Sequence, residues 1–183
     1  FFRTQHWLIG KTWSSFNNVS YLIQAIDGRF AGGAIGTRPV QIRYYNQSGK
    51  WKYQISAEYL KPTLIQPDTL RAESALVIPG LAGNISYKTN SIDIMAAGVL
   101  RMNRVQFTSG EKSNQSQLGY GALIAAKLHL NSSNRLMASA AGGVGTGGYM
   151  GDYAFVDIDL AYNPGIQRFE NMNAYTVFLG FEH

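Results

Sequence analysis

Hydrophobic and polar residues alternate almost without interruption over residues 51–60, WKYQISAEYL. The apolar and aromatic set is Trp51, Tyr53, Ile55, Ala57 and Tyr59, and the opposite set is Lys52, Gln54, Ser56, Glu58 and Leu60. Because successive side chains of a strand point to opposite faces, this pattern predicts a β-strand between an apolar and a polar environment. In a soluble sheet the apolar face packs on a core. In a membrane barrel the apolar face meets lipid and the polar face lines a lumen.

Related alternation predicts about nine strands along the chain. They cover residues 5–13, 40–45, 51–60, 84–89, 92–107, 119–130, 135–144, 153–162 and 174–182. Within residues 92–107, even positions such as Ile94 and Leu100 are expected to face outward and odd positions such as Asp93 and Arg101 inward. The facing of residues 5–13 stays open, residues 163–173 are expected to be irregular, and no helix is predicted.

The connections between these strands differ in length. The joins at residues 46–50, 90–91 and 131–134 are short, whereas those at 14–39 and 61–80 are long. Transmembrane barrels have short turns at one end and long loops at the other, and several predicted strands exceed the roughly five to six residues common in soluble sheets. The chain is therefore predicted to be all-β, an antiparallel transmembrane β-barrel of porin type, forming one domain over residues 1–183. The apolar content of residues 14–39 argues that this loop packs on something.

Composition supports a barrel rich in turns and aromatic residues. The 183 residues include 20 glycines, aromatics make up 13% and charged residues only 15%. No run of about eighteen apolar residues is present, which excludes a helical membrane span, whereas a membrane strand needs only about ten alternating residues. The absence of cysteine removes disulfides, thiolate chemistry and Cys-based zinc sites. No signal peptide precedes Phe1, so we expect either that it was removed or that the sequence is an internal piece.

Catalytic chemistry has little support in the sequence. The three histidines, His6, His129 and His183, lie far apart and at no metal-ligand spacing. Asp157 and Asp159 share a predicted strand face. They could form a carboxylate dyad or a calcium site, but two solvated carboxylates are the more common case. The segment GGVGTGGYMGD lacks the Lys followed by Ser or Thr of a phosphate-binding loop, and no helix pattern follows it. We therefore predict no enzyme activity, no cofactor and no metal site.

Basic residues are the more informative chemistry. The net charge is +5, and the charges are scattered, which favours small anions met singly over nucleic acid. Four cations fall on the predicted polar faces: Arg43, Lys52, Arg101 and Lys127. Arg38 lies where residues 14–39 rejoin the strands. These five residues are the candidates for lining a channel and binding anions. Cations in a water-filled lumen with low-dielectric walls attract anions. Since Glu58 and Asp93 lie on the same face, ordinary solvated residues remain an alternative.

Several segments together resemble the DcaP-like porins of Gram-negative outer membranes. They are WLIGKTWSSF, IDG, TRPVQIRYYNQSGKW, AAGVLRMNRVQF, GYGALIAAKLHL, NRLMASAAGGVGTGGYMGD and NAYTVFLGFEH. Each is weak alone, but they occur in the order of the family and span nearly the whole chain.

The resemblance implies a homotrimeric channel of the bacterial outer membrane, with about sixteen strands and contacts to outer-membrane lipid. It implies passive uptake of small anionic solutes such as dicarboxylates. By this analogy residues 14–39 are the constriction loop, in which Asp27 and Arg29 would lie in the lumen. A complete family member is about twice as long, and about nine strands cannot close such a barrel, so the chain is expected to be a fragment or a smaller barrel that shares local sequence.

Two other classes stay open at this point. A soluble β-sandwich or calycin-like ligand-binding protein would bury its apolar faces against each other. A small closed barrel of eight or ten strands acting as a structural anchor would fill its lumen with side chains.

Overall fold

β-Strands form almost all regular elements of the chain. The computed structural model describes residues 1–17, 21, 36–75, 78–108, 114–150 and 158–183. The strands are β1 Phe2–Arg3, β2 Trp7–Lys11, β3 Val40–Ser48, β4 Trp51–Tyr59, β5 Leu64–Ile65, β6 Ala72–Ala75, β7 Gly80–Lys88, β8 Ile92–Phe107, β9 Gln115–His129, β10 Arg135–Val144, β11 Leu160–Asn163, β12 Arg168–Asn171 and β13 Asn173–Glu182. Among the described residues the α-helix is the short α1, Gly147–Met150. No helix among these described residues is long and apolar enough to cross a membrane.

The main sheet follows the order β1-β2-β3-β4-β7-β8-β9-β10-β13, and β6 pairs with the far end of β8. Every neighbouring pair along this path is antiparallel. Because the direction alternates over the nine strands of this path, β1 and β13 run the same way. Pairing these two edges directly would create a parallel contact, so an all-antiparallel barrel built on this sheet needs an odd number of additional strands.

The predicted all-β, porin-type architecture is confirmed, and several boundaries differ in detail. The β3–β4 turn is shorter than residues 46–50, because the strands pair as far as Ser48 and Trp51. Gly49 has φ +57°, which suits the first central position of a two-residue type II′ turn. The expectation of irregular structure over residues 163–173 is wrong, since β12 lies there. Of the strand expected at residues 153–162, residues 153–157 lie outside the described residues.

The two faces of the main sheet differ as the alternation predicts. Large apolar side chains on alternate positions are exposed on one face, which we call the outer face: Trp7, Ile9, Val40, Ile42, Trp51, Tyr53, Ile55, Tyr59, Leu81, Ile85, Ile94, Leu100, Met102, Leu118, Tyr120, Ile124, Leu128, Tyr175, Val177, Leu179 and Phe181. No second layer of the described residues covers them. A β-sandwich that buries its apolar faces against each other does not fit this arrangement.

The opposite, inner face carries two clusters of buried residues. In the first, Met95, Val99 and Leu123 of β8 and β9 pack with Phe16 and Tyr149, which come from connections folded onto this face. In the second, Val105 of β8 packs with Leu160 and Phe169. The connections therefore supply part of the core of the inner face.

A small second sheet, in the order β12-β11-β5, contributes Leu160 and Phe169 to the second cluster. β8 and β9 are the longest strands, at 16 and 15 residues. Near the start of β9, Gln115 Oε1 accepts the Phe169 N–H at 3.0 Å and Gln117 Oε1 accepts the Asn171 N–H at 3.0 Å. Side-chain amides thus continue the hydrogen bonding of β12 where no strand is beside it.

Phe169→Ala is expected to loosen this small sheet. Phe169 is fully buried, and truncating such a side chain costs about 3–5 kcal/mol. Hydrogen exchange of the Asn171 amide should accelerate by a hundredfold or more, roughly as this energy implies. Ile166→Ala, an exposed position of the same segment, is the control and should change little. Unchanged exchange in Phe169→Ala would show that the cluster does not hold the sheet.

Candidate functional site

The inner face is a polar wall against which two connections fold. The first is the segment 12–17, which follows β2. The second runs from Gly145 to Met172 and contains α1, β11 and β12. The charged residues of β3, β4 and β8 meet these segments, and their contacts decide which charges are neutralised.

Glu58 of β4 anchors the first segment. Its side chain is fully buried. Its carboxylate accepts hydrogen bonds from Ser14 Oγ at 2.7 Å, the Ser15 N–H at 2.7 Å and Ser56 Oγ at 2.6 Å. Charge-assisted bonds of this kind are about twice as strong as neutral ones. The chain that enters the loop at residues 14–39 is therefore fixed to the wall at its first residues.

Gln41 and Arg43 of β3 hold the same segment through its backbone. Gln41 Nε2 donates to the carbonyl oxygens of Thr12 and Trp13, both at 2.9 Å. Arg43 donates from Nη2 to the Trp13 carbonyl, from Nε to Gln41 Oε1 at 2.9 Å and from Nη1 to Gln54 Oε1 at 3.1 Å. All these acceptors are neutral, so none of them cancels the charge of the guanidinium.

Tyr149 of α1 links the two connections. Its hydroxyl is hydrogen bonded to Glu58, and its ring meets Phe16 edge to face at a centroid distance of 6.0 Å. Burial raises the pKa of Tyr149, and the Glu58 carboxylate raises it further. The hydroxyl therefore stays protonated and acts as a donor. Asn17 Nδ2 adds a hydrogen bond to the Tyr149 carbonyl at 3.2 Å.

Arg101 of β8 forms a buried ion pair with Asp159. Arg101 Nη1 lies 3.1 Å from Asp159 Oδ1, and both side chains are almost fully buried. The carboxylate also accepts the N–H groups of Thr63 and Gly148. Burial raises the pKa of Asp159, and the guanidinium and the two amides oppose this rise. The sheet thus neutralises Arg101 by pairing it with the segment that leads into β11.

Lys127 of β9 contacts Tyr21 of the loop at residues 14–39. Its Nζ lies 5.9 Å from the centroid of the Tyr21 ring, and Tyr21 is buried. Lys127 is in register with Asp93 of β8. Asp93 Oδ2 lies 3.5 Å from Lys88 Nζ and 3.6 Å from His129 Nε2. The loop that starts beside β3 and β4 therefore also contacts β9, three strands beyond β4 in the sheet order.

Arg43 and Lys52 line one polar cavity of about 580 Å³ at the turn end of β3 and β4. Arg3 of β1 lines it too, together with neutral groups such as Tyr45, Gln54 and Asn84. No Asp or Glu belongs to its lining among the described residues. Cations that line a concave site together with neutral groups give it a positive local potential.

The remaining predicted site residues are more scattered. Arg38 is exposed, and its guanidinium lies 5.1 Å from the centroid of the Trp13 ring. Asp27 and Arg29 lie outside the described residues. The structure therefore brings Arg43 and Lys52 together, places Arg101 in a buried pair and sets Lys127 apart on β9. The anion-binding role of the five cations stays a prediction.

Several residues of this network are not among the predicted site residues: Arg3, Gln41, Glu58, Tyr149 and Asp159 in its role as the partner of Arg101. Gln41 is on the predicted polar face of its strand, which was the available signal. Asp159 and Tyr149 come from the connection after β10, far along the chain from Arg101 and Glu58. No short-range pattern reports such contacts.

Nothing in the described residues gathers three or more His, Asp or Glu side chains into a metal site. His129 lies near Asp93, and His183 Nδ1 lies 2.6 Å from Asn134 Oδ1. These histidines are thus in separate places on the sheet, with different partners.

Comparison with known proteins gives one clear fold relative. No protein-family model and no curated protein matches the sequence. The fold resembles the crystal structure of the outer membrane channel DcaP of Acinetobacter baumannii, with a TM-score of 0.78 and 18% sequence identity. The match covers 96% of this chain and 48% of that chain, so the chain spans about half the length of the channel. The predicted resemblance to DcaP-like porins is confirmed for the fold, which is an open arc of a porin-type antiparallel barrel.

Glu58→Ala is expected to release the first segment from the wall. Its loss leaves Ser14, Ser15, Ser56 and Tyr149 without their shared acceptor, and a hydrogen bond to a charged group is worth about 1.5–3 kcal/mol. Hydrogen exchange of the Ser15 amide should therefore accelerate strongly. Glu58→Gln, which keeps one acceptor oxygen, should give a smaller effect.

Glu73→Ala serves as the matched control, because Glu73 is exposed on β6. It should leave the Ser15 amide unchanged. If Glu58→Ala exchanged at the same rate as Glu73→Ala, the carboxylate would not be the anchor of the loop.

Proposed function

We propose that this chain forms one arc of an outer-membrane β-barrel channel through which small solutes, preferentially anions such as dicarboxylates, diffuse passively. The observation that carries this proposal is the uncovered apolar outer face opposite a polar wall, on a fold shared with an outer membrane channel. In water such a face would have to be covered, whereas in a bilayer hydrocarbon covers it.

The dimensions of the outer face support contact with lipid. On β4 the exposed aromatic residues Trp51 and Tyr59 stand at the two ends and Ile55 at the middle. Eight residue steps of about 3.3 Å, tilted by about 40°, span about 20 Å along the membrane normal. This approaches the apolar band of about 25 Å found on outer-membrane barrels. We assign Trp51 and Tyr59 to the aromatic girdles.

The loop at residues 14–39 acts in this proposal as a constriction. Ser14 and Ser15 are tied to Glu58, and Tyr21 lies beside Lys127 on β9. A segment that contacts both β4 and β9 from the inner side crosses the concave wall. Asp27 and Arg29 belong to this loop and are proposed to face the passing solute.

Anion preference rests on Arg43 and Lys52, which line a cavity that has no Asp or Glu among its described lining residues. Arg43 is bonded to neutral oxygens, and Lys52 lines the same acid-free cavity. Arg101 is neutralised by Asp159 and Lys127 lies near Asp93, so these two contribute less. Arg38, exposed beside Trp13, adds positive charge where the loop returns to β3.

Assembly and location follow from the same proposal. We propose a place in the bacterial outer membrane, with lipid around the outer face and a homotrimeric assembly. The barrel conducts passively, catalyses no reaction and takes no cofactor or nucleic acid. The solved relative is a channel, which agrees with this class of function.

The direct test is conductance of the complete barrel that contains this chain, reconstituted in a planar bilayer. We expect discrete conductance steps and a reversal potential in a salt gradient that indicates anion preference. Lys52→Glu should lower the anion-to-cation permeability ratio by roughly twofold or more, because it reverses a charge in the basic cavity. Lys50→Glu, in the adjacent turn outside the cavity lining, should change it less. A silent bilayer would refute the channel, and equal ratios for Lys52→Glu and the unchanged protein would refute the selectivity.

Ile55→Lys should destabilise the barrel by about 2–4 kcal/mol, because a cation at the middle of the lipid-facing band must leave water. Val40→Lys is the matched control: Val40 is equally exposed on the outer face but is paired with Tyr59 at the end of the band. It should cost about 0–1 kcal/mol. Unfolding in urea from lipid vesicles measures both. Equal costs at the two positions would contradict a lipid-covered outer face.

A further inference from the structure

Arg3 of β1 is held in a defined position by Tyr45 of β3. Arg3 Nε donates to the Tyr45 hydroxyl at 2.9 Å, and the guanidinium carbon lies 5.2 Å from the centroid of the Tyr45 ring. The hydroxyl donates in turn to the Thr4 carbonyl. Tyr45 therefore fixes both the side chain of Arg3 and the backbone that follows it.

Arg3 and Arg43 lie on one row across the sheet. Arg3 is in register with Leu8 of β2, and Leu8 is in register with Arg43 of β3. Side chains at registered positions point to the same face, and two strand spacings separate the two backbones by roughly 10 Å. Two long guanidinium side chains at this separation can both reach one small ion between them.

The chemistry around Arg3 leaves its charge available. Within the described residues Arg3 takes part in no ion pair, and its printed side-chain hydrogen bond goes to a neutral hydroxyl. Tyr45 occupies Nε, whereas the two Nη atoms carry four further N–H donors. A planar fork of donors matches the oxygens of a carboxylate, phosphate or sulfate.

We propose that Arg3 is an anion-selecting residue of the channel and that Tyr45 is its positioning residue. Arg3, Arg43 and Lys52 together form a site for one small oxyanion in the acid-free cavity at the turn end of the sheet. This inference rests on the proposed channel function. It adds β1, the strand at the edge of the sheet, to the elements that determine selectivity.

A double-mutant cycle tests the pair in the complete reconstituted barrel. Arg3→Gln should lower the anion-to-cation permeability ratio by roughly twofold or more, because it removes one of three cations from the cavity. Tyr45→Phe keeps the ring and removes the hydroxyl, and it should produce part of this loss. The double variant should match Arg3→Gln, since coupled residues are not additive. Lys50→Gln removes a charge outside the cavity and is the control.

A second readout does not depend on conduction. Inorganic sulfate binding to the detergent-solubilised barrel, followed by calorimetry, should weaken severalfold in Arg3→Gln and remain in Lys50→Gln. If the barrel conducts but Arg3→Gln changes neither the permeability ratio nor the sulfate affinity, the site is refuted and the channel is not. Sulfate binding that depends on Arg3 in a barrel that does not conduct would keep the site and refute the channel. Additive effects of Arg3→Gln and Tyr45→Phe would overturn the positioning role.

Discussion

The structure depends on a constraint of the β-strand itself: it has two faces, and each must meet an environment of its own kind. In this sheet the backbone groups between neighbouring strands are paired laterally, so the side chains alone determine what each face meets. The outer face presents a broad apolar surface that the described residues leave uncovered, and the inner face buries Glu58 and Arg101 against folded-in connections, one of which supplies Asp159. That division of polarity is the reverse of a soluble sheet, where the apolar face would be the covered one.

The inner face is organised by a chain of charged and hydrogen-bonded groups. Glu58 holds the segment after β2, Tyr149 bridges from Glu58 to the vicinity of Arg101, and Arg101 pairs with Asp159. Two connections from distant parts of the sequence are thus fixed to one wall by groups that are costly to leave unpaired in a buried site. This network neutralises Arg101 through Asp159. Arg43 also holds the first segment, but through the neutral Trp13 carbonyl, so that Arg3, Arg43 and Lys52 leave positive charge in the cavity at the turn end.

Much of the fold was predictable because it depends on a period of two. The bounds and the facing of residues 92–107 agree with β8 throughout, and the apolar set of residues 51–60 is the outer face of β4. Long-range partners were not predictable. Arg101 was predicted to line the lumen, because no residue near it in sequence indicates that it pairs with Asp159, 58 positions away. β12 was missed because its bonds go to β11 and to two glutamine side chains of β9, which leave no alternating pattern of their own.

If the outer face is covered by lipid, the odd positions of β4 meet hydrocarbon and the even positions face the inner wall. The chain has no cysteine, so single cysteines can be introduced at each of residues 51–59 and spin labelled in the complete barrel in lipid vesicles. Collision rates with oxygen, which concentrates in hydrocarbon, and with a water-soluble paramagnetic reagent then report the environment of each position. We expect high oxygen accessibility at positions 51, 53, 55, 57 and 59, greatest at the middle of the strand, and low values between them. Odd positions shielded from oxygen, or accessibility without a period of two, would contradict this expectation.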